Sequence, residues 1–192
     1  QPPLPEDEKR ENGAHPGPGL RMDEHHPPEE HGPSRICRAF LDKLARTPDK
    51  TKRQAVIAAC VKVRFPWAEE LLWEALADAN EGVRDFVVKE LRRREPLHFE
   101  FALKRLRLPP WYARSSALGI IGCRRIREAV PEMGRAVADA NVEVRRAAAE
   151  ALGEMGGDEA LKLLVVLKKD ANPYVRAAAE EAIRKTSGVR FS

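Results

Sequence analysis

The sequence predicts an all-α chain, a solenoid of about five helical hairpins that bury their apolar faces against one another. Three observations predict it. The stretch Asp139 to Gly153 (DANVEVRRAAAEALG) is written again from Asp170 to Arg184 (DANPYVRAAAEEAIR), so the signature Asp-x-Asn-x-x-Val-Arg recurs. Arg53, Arg84, Arg114, Arg145 and Arg176 then stand at intervals of 31, 30, 31 and 31 residues. Apolar residues follow each arginine at fixed offsets: Val56, Val87, Ala117, Ala148 and Ala179 three positions on, and Cys60, Leu91, Ile121, Leu152 and Ile183 seven positions on. Offsets of three and seven share one helical face. A lone hairpin cannot bury such a stripe, and a period near 30 residues therefore demands stacking.

The elements follow from this register. Four residues before each arginine stand Asp49, Asn80, Pro110, Asn141 and Asn172. All but Pro110 are side chains that accept hydrogen bonds from first-turn amides, and Pro173 sits at the first helical position, where its missing N–H costs nothing. Each arginine therefore lies in the first turns of a second helix. Upstream of it runs a first helix, over 35–46, 66–77, 97–107, 127–138 and 158–169. The pattern Asp-x-Asn-x-x-Val-Arg-x-x-Ala-Ala-x-Ala-Leu-Gly resembles the HEAT-like repeats of the phycobilisome-lyase type, closely in 139–188, well in 78–94, and in degraded form in 47–62 and 108–123. The resemblance implies a right-handed α-solenoid in which the second helices line the concave face and the Asp and Arg residues form a polar ladder.

Composition divides the chain. Residues 1–34 hold 8 of the 15 prolines and 4 of the 5 histidines, with no long apolar run. Such a segment cannot offset its ordering entropy, so residues 1–34 are expected to be a disordered acidic tail and 35–192 the repeat domain. Residues 1–35 carry eight acidic and four basic side chains, −4, so the remainder carries +8 of the total +4. An acidic segment ahead of a basic one either folds back on it or keeps it soluble. No run of 18 apolar residues occurs, which excludes a membrane-spanning helix. Cys37, Cys60 and Cys123 are odd in number and lie within helical patterns, as reduced core thiols of a cytoplasmic protein do.

No catalytic constellation emerges, and no cofactor or metal is expected. The cluster from Asp23 to His31 offers three imidazoles but no helix to orient them, and metal sites need oriented ligands. Within the repeats the only histidine is His98. The iron hydroxylases built from HEAT repeats resemble the chain in fold, with their metal held by His-Glu pairs inside the repeats. No such pair occurs here. Nothing in the matching residues is specific to a bilin, so lyase activity does not follow from the resemblance, and fold similarity alone does not carry function.

What remains is binding. Ladder arginines Arg84, Arg145 and Arg176 are expected to pair with Asp78, Asp139 and Asp170. Leu108 stands in place of the aspartate of repeat three, which singles out Arg114 as the ladder arginine open to a ligand. If the ladder marks the inner side, offsets four, five and eight also face inward. They give an apolar N-terminal groove (Ile57, Ala58 and Val61; Val88, Lys89 and Arg92; Leu118, Gly119 and Gly122) and a charged C-terminal one (Glu150, Glu180, Glu181, Arg184). Trp111 and Tyr112 occupy the loop before the third second helix, where they anchor a partner or plug the gap left by the missing aspartate. Trp67 and Trp73 read as core. Cations follow the C-terminal ends of the second helices, among them Arg92, Arg93, Arg94, Arg124, Arg125 and Arg127. They offset helix dipoles or form a basic edge that follows phosphates. The expected function is a non-catalytic protein-binding scaffold, its groove contacts being Ile57, Val61, Val88, Arg114, Trp111, Tyr112 and Leu118. Nucleic-acid binding along the basic edge and a lyase-type accessory role are the alternatives.

Overall fold

A computed structural model describes residues 46–188, together with Ala39 and Lys43, which are helical. The expected tail, its histidine cluster and most of the first predicted helix lie outside these residues. The described chain is helical throughout: α1 (Lys50–Lys62), α2 (Pro66–Ala75), α3 (Glu81–Arg93), α4 (Phe99–Leu106), α5 (Trp111–Cys123), a 3-10 turn (Arg127–Ala129) leading into α6 (Val130–Val137), α7 (Val142–Met155), α8 (Asp158–Leu167) and α9 (Pro173–Gly188). It is an all-α repeat fold, with α1, α3, α5, α7 and α9 as the successive second helices.

The caps act as their chemistry dictates. Asp49 accepts from the amides of Thr51 and Lys52, Asn80 from Val83, Asn141 from Glu143 and Asn172 from Tyr174. Pro110 caps α5 by position alone, with no side-chain bond. Trp111 and Tyr112, expected in a loop, form the first turn of α5 instead.

One core runs along the stack. The residues three and seven beyond each ladder arginine are buried, except that Ile183 in the last helix is half-buried. Trp67 and Trp73 belong to this core. Packing between second helices is closest in the C-terminal half, where α5 meets α7 and α7 meets α9 far more extensively than α3 meets α5. The cause is the residue eight beyond each arginine. At Gly122 a Cβ would stand 2.7 Å from the Ala151 Cα, and at Gly153 it would stand 2.7 Å from the Ala182 Cβ. The absence of a side chain is what lets these backbones approach. Arg92 occupies the same position in α3 and its guanidinium lies over Gly119, 3.5 Å from where a Cβ would be. The side chain at this position faces the next second helix, so α3 lacks the small residue that close packing on α5 needs; in α9 the position is Arg184, after which no further repeat is described.

Candidate functional site

The polar ladder is regular, but its rungs cross between repeats. Arg53 Nε and Nη2 donate to the Asp78 carboxylate at 2.7 and 2.9 Å, Arg114 to Asp139 at 2.8 and 2.9 Å, and Arg145 to Asp170 at 2.7 and 3.1 Å. Each guanidinium therefore grips the carboxylate of the next repeat with its fork. Its other edge turns back to its own hairpin loop: Arg145 Nη1 donates to the Asp139 and Ala140 carbonyls, and Arg53, Arg84 and Arg176 do the same at their own loops. The aspartates also hold their loops, accepting from the amides of Asn80, Asn141 and Asn172.

These contacts set the protonation of the ladder. Burial pushes the Asp78 and Asp139 carboxyls up. The guanidinium bonds, the asparagine amides and the nearby arginine charges outweigh it and hold both below the ordinary aspartate value. At Asp170 the Arg145 bond is itself the main cause of the lowering.

Because the rungs cross, the missing aspartate has a different consequence from the expected one. Arg114 is not open to a ligand, since it is bound bidentately to Asp139. Among the described residues Arg84, like the terminal Arg176, has no carboxylate at its fork, and at Arg84 the rung would come from position 108, which is Leu. The Arg84 guanidinium instead lies over the Tyr112 ring, 4.6 Å from the centroid, and the Tyr112 hydroxyl donates to the Ala77 carbonyl at 3.4 Å. Tyr112 therefore covers one face of the Arg84 guanidinium and supplies no carboxylate to its fork. Trp111 meets it edge-on at 5.8 Å between centroids and stays 43% exposed. The loop carbonyls of repeat three are served by Arg105, which donates to Leu108 at 3.5 Å and more closely to Pro109. Arg105 is buried, its Nε finds no acceptor, and desolvation lowers its pKa.

The groove along the second helices also differs from expectation. Ile57 and Leu118 are 3% and 0% exposed and pack in the core, so neither offers a surface to a partner. At offset four Ile57, Leu118 and Ala149 are buried, whereas Glu180 in the last helix is exposed. Val61 and Val88 are half-buried against the same core. The open inner face follows offsets five, eight and nine. It forms a shallow channel of about 650 Å³ floored by Gly119, Gly122, Ala151 and Gly153 and rimmed by Arg92, Arg125, Lys185, Glu150, Glu154 and Glu181. Its lining is small and charged, and of the inner residues expected in repeats one to three only Arg92, Gly119 and Gly122 reach it.

The basic edge is interrupted. Arg92, Arg93, Arg125 and Arg127 are exposed. Arg94 is buried: its Nη2 donates to the Val63 carbonyl at 2.6 Å and its Nε to Glu69 at 3.3 Å. Arg124 donates to the Arg92 carbonyl at 3.2 Å and pairs with Glu95. Two of the six cations thus hold the repeats together, where stacked helix ends supply carbonyls that need donors.

Sequence reasoning missed the cluster around Glu69. This carboxylate is 0% exposed and accepts from the Trp73 indole at 3.2 Å, the His98 amide at 2.8 Å and Arg94, with His98 Nδ1 at 2.9 Å. The available signal was an acid four residues before a core tryptophan on an otherwise apolar helix face. Among the described residues no group of three or more His, Cys, Asp or Glu is arranged to hold a metal, and no helix is long and apolar enough to cross a membrane.

The comparisons with known proteins agree with this architecture. Residues 99–184 match the family model for HEAT repeats. The chain is a HEAT-like repeat protein. Among solved structures it is similar to human deoxyhypusine hydroxylase, with a TM-score of 0.53 and 20% identity over 80% of this chain and 63% of that one. It is also similar to the complex of CpcE and CpcF of phycocyanin lyase from Nostoc sp. PCC7120, with a TM-score of 0.51 and 18% identity over 97% of this chain and 71% of that one. At these identities the likeness is one of fold, and the HEAT-like chain spans less than two thirds of the hydroxylase. No curated protein matches the sequence.

Proposed function

We propose that this HEAT-like chain is a non-catalytic scaffold that holds a segment of another protein in the channel along α5, α7 and α9. The observation that carries the reading is the channel floor. Gly119 and Gly122 of α5, Ala151 and Gly153 of α7 and Ala178 and Ala182 of α9 line it, so no large side chain closes the channel to a peptide segment. Charges of both signs on the rim, Arg92, Arg125 and Lys185 against Glu150, Glu154 and Glu181, suit the alternating donors and acceptors of a peptide. Against a nucleic-acid reading, Arg94 and Arg124 are engaged within the fold and three carboxylates face the same channel.

The test places a photo-cross-linking amino acid at Cys123, which is exposed in the channel, and separately at Gly134, which is exposed on a first helix. In native extract the Cys123 probe should capture a discrete protein through high-salt washing, and the Gly134 probe should not. Identical products from both positions, or nucleic acid released at high salt, would remove the reading.

A further inference from the structure

A second surface lies on another edge, where the ladder is broken between α3 and α5. We propose that the Arg84 gap is a docking site for an aspartate or glutamate side chain of a partner protein, flanked in that partner by apolar residues. The partner's carboxylate takes the place of the aspartate that Leu108 replaces.

The ladder itself is the template. At three junctions an arginine fork receives a carboxylate at 2.7 to 3.1 Å. Arg84 repeats the loop half of that geometry, donating to Asp78 and Ala79 carbonyls at 2.8 and 3.2 Å, and among the described residues it has no carboxylate for its fork. Arg176 shares this condition only because no described repeat follows it. At Arg84 a repeat does follow, and the missing rung is internal. Stacking on Tyr112 holds the guanidinium plane in place, so little freedom is lost when a carboxylate binds bidentately.

Charge and surface point the same way. Arg84 and Arg114 contact or flank Tyr112, and Arg105 feels both Arg114 and Tyr112. Asp139 accepts from the Arg114 fork, while Asp78 acts on Arg84 and Glu74 on Arg105 through charge alone, so among the described residues no carboxylate is hydrogen-bonded to Arg84 or Arg105. Leu108, at the position of the missing aspartate, and Trp111, edge-on to Tyr112, are both exposed and offer an aliphatic and an aromatic surface. An indole beside an arginine is the usual composition of an energetic hot spot. A free phosphate would be recognised by the charge but would leave both apolar surfaces uncovered.

The experiment uses the full chain and two synthetic peptides, acetyl-Leu-Asp-Leu-amide and its Asn twin, followed by NMR of the arginine Nε–H and tryptophan indole N–H signals. The Asp peptide should shift Arg84 and Trp111 with a Kd on the order of 1 mM, and the Asn peptide should bind at least about tenfold more weakly. Leu108→Asp supplies the rung from within the chain. It should fold with a higher Tm and abolish the peptide response. Equal binding of the two peptides, binding that survives Leu108→Asp, or no shift at tenfold higher concentration would each overturn the proposal. So would movement of the Arg84 and Trp111 signals, without peptide, on replacing Glu29 and Glu30 by Gln or on dilution. The occupant would then be the chain's own acidic segment or a second copy. The channel cross-linking at Cys123 is read independently of this edge.

Discussion

Replacing Gly122 by alanine tests whether glycine sets the spacing of the second helices. In an exposed helix interior, Gly→Ala stabilises by about 1 kcal/mol, because it removes backbone freedom from the unfolded chain. Gly134 in α6 is such a position, since a Cβ there meets nothing within 4 Å. At Gly122 the added Cβ would stand 2.7 Å from the Ala151 Cα, a backbone atom, and 3.0 Å from the Ala151 Cβ. Carbon contacts are favourable at about 3.5–4.0 Å, so α5 and α7 must separate by about 1 Å. Overpacking of this kind costs about 1–3 kcal/mol. Gly134→Ala should therefore raise stability by about 1 kcal/mol, and Gly122→Ala should lower it by up to about 2 kcal/mol after the same propensity gain is subtracted. For a chain of this size each kcal/mol moves the Tm by about 2–4 °C, so the two variants should bracket the parent in thermal unfolding followed by circular dichroism. If Gly122→Ala stabilises as much as Gly134→Ala, close glycine packing is not what holds α5 to α7.

Two further outcomes follow from the polar contacts. The carboxyls of Asp78, Asp139 and Asp170 lie below their ordinary value in the folded state. Their stabilisation is fully present above the unfolded aspartate pKa of about 3.9 and is lost as pH falls through the lower folded values. Thermal stability should drop steeply below about pH 4. Asp139→Asn should cost about 2 kcal/mol at neutral pH, as expected for charge-assisted hydrogen bonds, and show a shallower acid limb. Parallel acid limbs in the two proteins would dismiss the ladder as the titrating element. Glu69→Ala leaves the Arg94 guanidinium and the Trp73 indole buried without their acceptor, which should cost about 3–5 kcal/mol in urea unfolding. A cost under about 1 kcal/mol would mean that water replaces the carboxylate.

The repeat, its register, its caps and its core stripe were legible in the chain before folding. They are local properties: a helix fixes which residues share a face, and Asp49, Asn80, Asn141 and Asn172 cap their own first turns. Tertiary structure decided what meets what between repeats. The spacing of Arg84, Arg114 and Arg145 could not say whether each fork takes its own aspartate or the next one, because both lie on neighbouring turns of the stack. That choice moves the vacancy from Arg114 to Arg84. It likewise took the packed hairpins to turn Leu118 and Ile57 into the core, to bury Arg94 on helix-end carbonyls, and to gather Glu69, Trp73, Arg94 and His98 from three elements. Helical periodicity fixes direction about one axis, whereas a site between repeats depends on how several axes are set against each other.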